Sequence, residues 1–174
     1  AIGDNGAGHL AEMLPRCPKL SQLKIGHNWI GDAGAGRLAE VLPQCYSLTQ
    51  FEVRSNRIGD SGCERIAEAL AQCTSLVDVS LVENRIGDEG ATRLAEVLPQ
   101  CTTLKTLDLQ RNIMSDMGAG SLSDSLLSAS TLQSLNLSNL LYMSDEGKEA
   151  LAAKGQPQLV LTGLRVGGQG SEAS

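Results

Sequence analysis

The chain has 174 residues, is 41% hydrophobic but only 2% aromatic, and carries five cysteines and a formal charge of -6. That length suits one domain with a continuous core, and the negative balance argues against nucleic acid or anionic lipid as the main partner. No apolar run approaches the roughly 20 residues that cross a bilayer and no basic-then-apolar leader opens the chain, so neither membrane insertion nor a targeting signal is expected.

Taken in order, Ile2, Asp4 and Gly6 read as the end of a partial unit, so the true amino terminus is expected upstream. A full unit follows, Leu20-x-x-Leu23-x-Ile25-x-x-Asn28. It returns every 28 residues as Leu48, Phe51, Val53 and Asn56, then Leu76, Val79, Leu81 and Asn84, then Leu104, Leu107, Leu109 and Asn112. The same register carries Ile30, Ile58, Ile86 and Met114, then Asp32, Asp60, Asp88 and Asp116, then Gly34, Gly62, Gly90 and Gly118. An ungapped period of this length marks a solenoid, whose units bury their apolar faces only against their neighbours.

Within residues 20–47, Leu23 and Ile25 alternate with Gln22 and Lys24, the period of a short strand with one buried face. Asp32 stands where a helix cap is wanted, accepting free backbone N–H groups at the positive end of the helix dipole. Gly34, Ala35, Leu38, Ala39 and Leu42 then form an inward stripe at helical spacing, and Pro43 closes the turn. Arg37 with Glu40, Arg65 with Glu68 and Arg93 with Glu96 read as solvated pairs three residues apart. The asparagine column reads as structural, bonding to backbone groups of adjacent turns.

Strands running in one direction and joined by helices must form a parallel sheet with every helix on one side. Strands repeat at about 4.8 Å and helices at about 8–10 Å, so the stack bends with the sheet inside. Cys17, Cys45, Cys73 and Cys101 share one register just before the strands and are expected to fill narrow core gaps as free thiols, as is Cys63 at a position other units give to alanine. Reduced thiols suggest an intracellular, cytoplasmic setting.

The fifth strand, Leu132, Leu135 and Leu137, departs from the pattern: Leu140 stands where asparagine is expected and one residue is added before Met143, so the ladder should distort there. A sixth helix start carries Asp145 and Gly147. Residues 158–161 read as a last short strand, and the Gly-rich stretch 163–174 as a mobile tail at a natural carboxyl terminus. The array therefore covers about six units over 1–162.

The strand phrase L-x-x-L-x-L-x-x-N with a helix opening at D-x-G resembles the leucine-rich repeat, in its ribonuclease-inhibitor-like 28-residue type, over nearly all of residues 1–162. Such arrays occur at the carboxyl ends of NOD-like receptors and in Ran GTPase-activating proteins. The resemblance implies an α/β leucine-rich-repeat solenoid, a short horseshoe with a parallel β-sheet on the concave side and α-helices on the convex side. It also implies protein binding, usually through the concave face.

Chemistry finds few parts. Gly31-x-x-Gly34-x-Gly36 and Gly3-x-x-Gly6-x-Gly8 lack the G-K-[ST] of a phosphate loop, and their glycines read as close-approach positions. His9 and His27 belong to different units. There is no Ser-His-Asp arrangement, C-x-x-C pair or H-E-x-x-H sequence, so no enzyme activity, cofactor or metal is expected, and the sequon Asn136-Leu137-Ser138 lies within a strand. What remains is the repeated surface: Lys24, Glu52, Arg54, Ser80 and Asp108 on the strands, and His27, Trp29, Arg57, Glu83, Arg85 and Arg111 in the strand-to-helix loops. Tryptophan and arginine often dominate binding energy, although these side chains could equally solvate the loops or pair with neighbouring acids. The leading expectation is a non-enzymatic protein-protein interaction module at the carboxyl end of a larger intracellular protein. A peripheral subunit of a large assembly and a Ran-type GTPase-activating protein stand as alternatives.

Overall fold

In a computed structural model, residues 1–160 are described, and within them six strands and six helices alternate. The helices are α1 Gly3–Met13, α2 Asp32–Val41, α3 Asp60–Leu70, α4 Asp88–Val97, α5 Asp116–Ser125 and α6 Asp145–Ala153; the strands are β1 Gln22–Lys24, β2 Gln50–Glu52, β3 Asp78–Ser80, β4 Thr106–Asp108, β5 Ser134–Asn136 and β6 Leu159–Val160. They form one parallel sheet in the order β1-β2-β3-β4-β5-β6. The expected strand end at Leu161 and the tail at 163–174 lie outside the described residues.

Register follows the period. Leu23 faces Phe51, Phe51 faces Val79, Val79 faces Leu107 and Leu107 faces Leu135, so one residue from each turn enters a single buried row. Ala35, Leu38 and Ala39 on α2, and their counterparts on the following helices, close that interior from the other side. Pro43 sits in a short 3-10 turn, Leu42–Gln44, that brings the chain back to the next strand.

Past each three-residue strand the ladder continues: Ile25 N–H donates to the Glu52 carbonyl at 2.9 Å and His27 N–H to the Arg54 carbonyl at 3.0 Å. The backbone then turns through a left-handed residue, at His27, Ser55, Glu83, Arg111 and Asn139, with φ between 52 and 58°. Such a conformation costs a non-glycine residue of the order of 1–3 kcal/mol. Buried asparagines next in the chain hold the turn. Asn84 donates to the carbonyls of Val53 and Leu81 and accepts the N–H of Ile58; Asn112 does the same for Leu81, Leu109 and Ile86. The structural reading of the asparagine column therefore holds, and the column ends where Leu140 replaces it.

Three expectations are corrected. The aspartates do not cap their own helices: Gly31 and Gly59 occupy the N-cap positions of α2 and α3 without side-chain caps, and each carboxylate reaches the next unit instead. Asp4 accepts Gly31 and Gly34, Asp32 accepts Gly59 and Gly62, and Asp60 accepts Gly87 and Gly90, all at 2.7–3.0 Å. The geometric reason is that the glycine helix starts slide against the preceding turn, where a Cβ at Gly34 would stand 2.6 Å from Asp4 Oδ1 and 2.9 Å from its Cα.

The Arg37–Glu40 pair does not form. Glu40 instead meets Arg65 of the next helix at 3.3 Å, and Arg93 also meets Glu64 of the preceding helix at 3.2 Å, since neighbouring helices lie close enough for their charged faces to pair. Arg65–Glu68 and Arg93–Glu96 pair as expected. Finally, Cys63, Cys73 and Cys101 are buried, but Cys45 is only half-buried and Cys17, in the first unit, is exposed rather than filling a core gap.

Candidate functional site

The strands place their outward side chains on a shallow floor. Lys24 is exposed there, while Glu52, Ser80 and Asp108 are half-buried. A depression of about 220 Å³ lies over Gln50, Asp78, Ser80, Thr106 and Asp108. Two of the candidate residues satisfy each other, since Arg54 Nε lies 3.0 Å from Glu52 Oε1. Asp108 Oδ1 accepts the Gln110 N–H. The floor is thus polar, partly self-paired and shallow.

Above it runs a rim built from the strand-to-helix loops, in two columns. The first holds His27, Ser55, Glu83 and Arg111; its left-handed backbone recurs in every turn and belongs to the coil itself. Glu83 accepts the Ser55 hydroxyl at 2.7 Å, so Ser55 joins the candidates as a residue sequence reading passed over. The second column holds Trp29, Arg57, Arg85 and Ile113.

Trp29 differs from its column. Its φ is 59°, whereas Arg57, Arg85 and Ile113 keep ordinary backbone at the same register. A bulky residue in the left-handed region is a true outlier. The loop is fastened on both sides of it: Asn56 Oδ1 accepts the N–H of Asn28 at 3.0 Å and that of Ile30 at 2.9 Å. The indole projects outward, 64% exposed, and the Arg57 guanidinium lies over it with Cζ 4.8 Å from the ring centroid. Structure therefore brings Trp29 and Arg57 into one patch beside His27, with Arg85 one turn further along.

The fifth loop, where one residue is added, exposes Leu141 at 66% and Tyr142 at 64%. Leu141 stands 28 residues beyond Ile113, but its N–H donates to the Asn112 carbonyl, out of the register that Arg57, Arg85 and Ile113 share. The added residue is the sequence signal for this apolar end, and by itself it points to a distorted ladder rather than to an exposed surface.

Comparison with known proteins adds the following. A family model described as Leucine Rich repeat matches residues 16–39, 44–67, 72–95 and 100–123, more than half of the chain. No curated protein matches it. Among 69 matching chains of solved structures is that of Leiomodin-1 Actin-Binding Site 2 (ABS2), 19% identical, with a TM-score of 0.70 over 83% of this chain and 84% of that one. At that identity the likeness concerns the fold.

Proposed function

Because the chain belongs to the leucine-rich repeat family, we propose that it is a non-enzymatic protein-protein interaction module that presents its loop rim to a protein partner. The observation that carries this reading is Trp29, an exposed indole on strained backbone, fastened by Asn56 and covered on one face by Arg57. Strain of about 1–3 kcal/mol is kept where surrounding structure over-determines it, and such sites cluster where ligands bind. A fixed aromatic loses little freedom on association, which is why rigid tryptophan and arginine anchors bind well.

Area supports the rim over the floor alone. Five strand steps of about 4.8 Å by roughly 15 Å of strand give a few hundred Å², short of the roughly 800 Å² per partner of a standard interface. A complex would take in the loops as well. Leiomodin-1, whose similar region is called an actin-binding site, shows that this fold can carry a protein-binding site. On the finer reading, the array is of ribonuclease-inhibitor-like type and forms the carboxyl-terminal part of a larger intracellular, NOD-like-receptor-like protein. The 28-residue unit and its repeated D-x-G helix openings support the repeat type in that reading.

A photo-crosslinking amino acid at His27, beside Trp29, should trap a partner in the native cell that the same probe at Arg65 on the convex helices does not. Trp29→Ala and Arg57→Ala should each weaken that partner at least tenfold, with melting temperatures near that of the parent. Unchanged affinity in both variants would remove the rim from the interface.

A further inference from the structure

Resting on that reading, we infer that the second rim column selects an acidic helical segment, one that sets carboxylates against Arg57 and Arg85 and an apolar side chain against Trp29. Charge is the first argument. The chain carries a formal charge of -6, and three of its arginines meet internal carboxylates: Arg54 meets Glu52, Arg65 meets Glu40 and Glu68, and Arg93 meets Glu64, Glu68 and Glu96. Arg57, Arg85 and Arg111 on the rim are exposed and form no ion pair among the described residues. Arg16 and Arg37 share that state but stand apart from the rim, at the ends of α1 and on α2. Glu83, beside them on the rim, accepts the Ser55 hydroxyl and pairs with none of the three.

Spacing is the second argument. The column rises one residue per turn, because Arg57 N–H donates to the Ile30 carbonyl, Arg85 N–H to that of Ile58 and Ile113 N–H to that of Ile86. Adjacent turns of such a ladder are about 4.8 Å apart. A helix laid across them offers one side chain per 5.4 Å of pitch, a mismatch of roughly 0.6 Å per step. An extended segment offers same-side residues about 6.7 Å apart and falls out of step within two turns. The column reads Trp29, Arg57, Arg85, Ile113, so the complementary helix stripe is apolar, acidic, acidic, apolar.

Trp29 is the single tryptophan in the sequence, so its fluorescence reports this rim alone. The test titrates the chain with a tryptophan-free helical peptide bearing leucine, glutamate, glutamate and leucine on one stripe at successive i+4 and i+3 steps, and with an isomer of equal composition whose glutamates lie on the opposite face. The striped peptide should shift the emission saturably. Arg57→Ser with Arg85→Ser should weaken it at least tenfold, Arg65→Ser should leave it unchanged, and the isomer should bind at least tenfold more weakly. Equal binding of the isomer, indifference to the double substitution, or no emission change with the striped peptide would overturn the inference. If His27 crosslinking still traps a Trp29-dependent partner, the interaction module survives and only this choice of occupant fails; if it traps none, the module itself falls.

Discussion

Asp32 Oδ1 accepts the backbone N–H of Gly62 at 3.0 Å, so the acid at the start of one helix caps the helix of the following turn. Capping here is a bond between units. In a solenoid, stability is the sum of weak single units and the interfaces that couple them, and these carboxylates lie on the interface side of that sum.

Replacing Asp60 by alanine therefore removes the acceptor from Gly87 and Gly90 of the next unit. The expected loss is about 1–2 kcal/mol, the range for a lost cap, accompanied by a smaller urea m-value as the array divides at that interface. Asp60→Asn, which keeps an acceptor oxygen, should lose less. Equilibrium urea unfolding measures both, and a change within the ordinary surface range of about 0.5 kcal/mol would deny the bond any coupling role.

Two glycine-to-alanine changes should have opposite signs although both lie in helices. At Gly62 a new Cβ would meet Asp32 Oδ1 at 2.7 Å, Ile58 Cγ2 at 2.9 Å and the Asp32 Cα at 3.0 Å, so the two turns would have to part. At Gly120 nothing lies within 4 Å. Gly62→Ala should thus destabilise by about 1–3 kcal/mol, the overpacking range, and Gly120→Ala should stabilise by about 0.5–1 kcal/mol through helix propensity. Thermal melts of the two variants decide it.

Much of the architecture was legible because it depends on periods. Leu23, Phe51, Val79 and Leu107 announce one buried row by their spacing, and the asparagines announce a turn that needs backbone partners. The aspartates were legible as caps but not as caps of the next helix, because spacing along a chain gives a residue's register and leaves open which turn it leans toward. The same limit applied to Glu40, which a neighbouring helix reaches before its own arginine does. On the rim, composition singled out Trp29 and Arg57, yet their stacking and the left-handed backbone at Trp29 are invisible in sequence, since no glycine or asparagine stands there to signal them.

Acid should weaken the fourth interface in a defined direction. Burial pushes the Asp88 carboxyl up, but bonds from the Ser115 hydroxyl, the Ser115 N–H and the Gly118 N–H outweigh it and leave its pKa below the usual 3.8. A carboxyl depressed on folding stabilises the protein above its unfolded pKa and loses that contribution as pH falls through the folded value. The parent should therefore exceed Asp88→Ala in stability at neutral pH, and the gap should close below about pH 3.8. A gap that stays constant from neutral pH to well below that point would show that the charge contributes nothing.

The thiols should react in order of their depth. Burial raises the Cys73 pKa to about 12, with Cys45 and Cys101 adding to it, and raises Cys101 to about 11; Cys63, in the interior near Asp60 and Asp32, is also pushed upward. Cys17 is exposed, and Cys45, half-buried, is shifted up by burial and by Cys17. Since the thiolate is the reactive form, mass-resolved alkylation at neutral pH should label Cys17 first, Cys45 next, and Cys63, Cys73 and Cys101 only at the rate of unfolding. Early labelling of Cys63 would contradict its place in the core.

Trp29 offers a separation of stability from function. Its left-handed φ of 59° suits glycine, costs tryptophan of the order of 1–3 kcal/mol and would cost a β-branched residue more. The stacked Arg57 returns only about 0.5–1 kcal/mol at so exposed a site. Trp29→Gly should accordingly hold or raise the melting temperature, and Trp29→Val should lower it, while both remove the aromatic anchor. If Trp29→Gly instead melts well below the parent, the indole contributes to the fold more than its exposure allows, and its strain could no longer be read as kept for a partner.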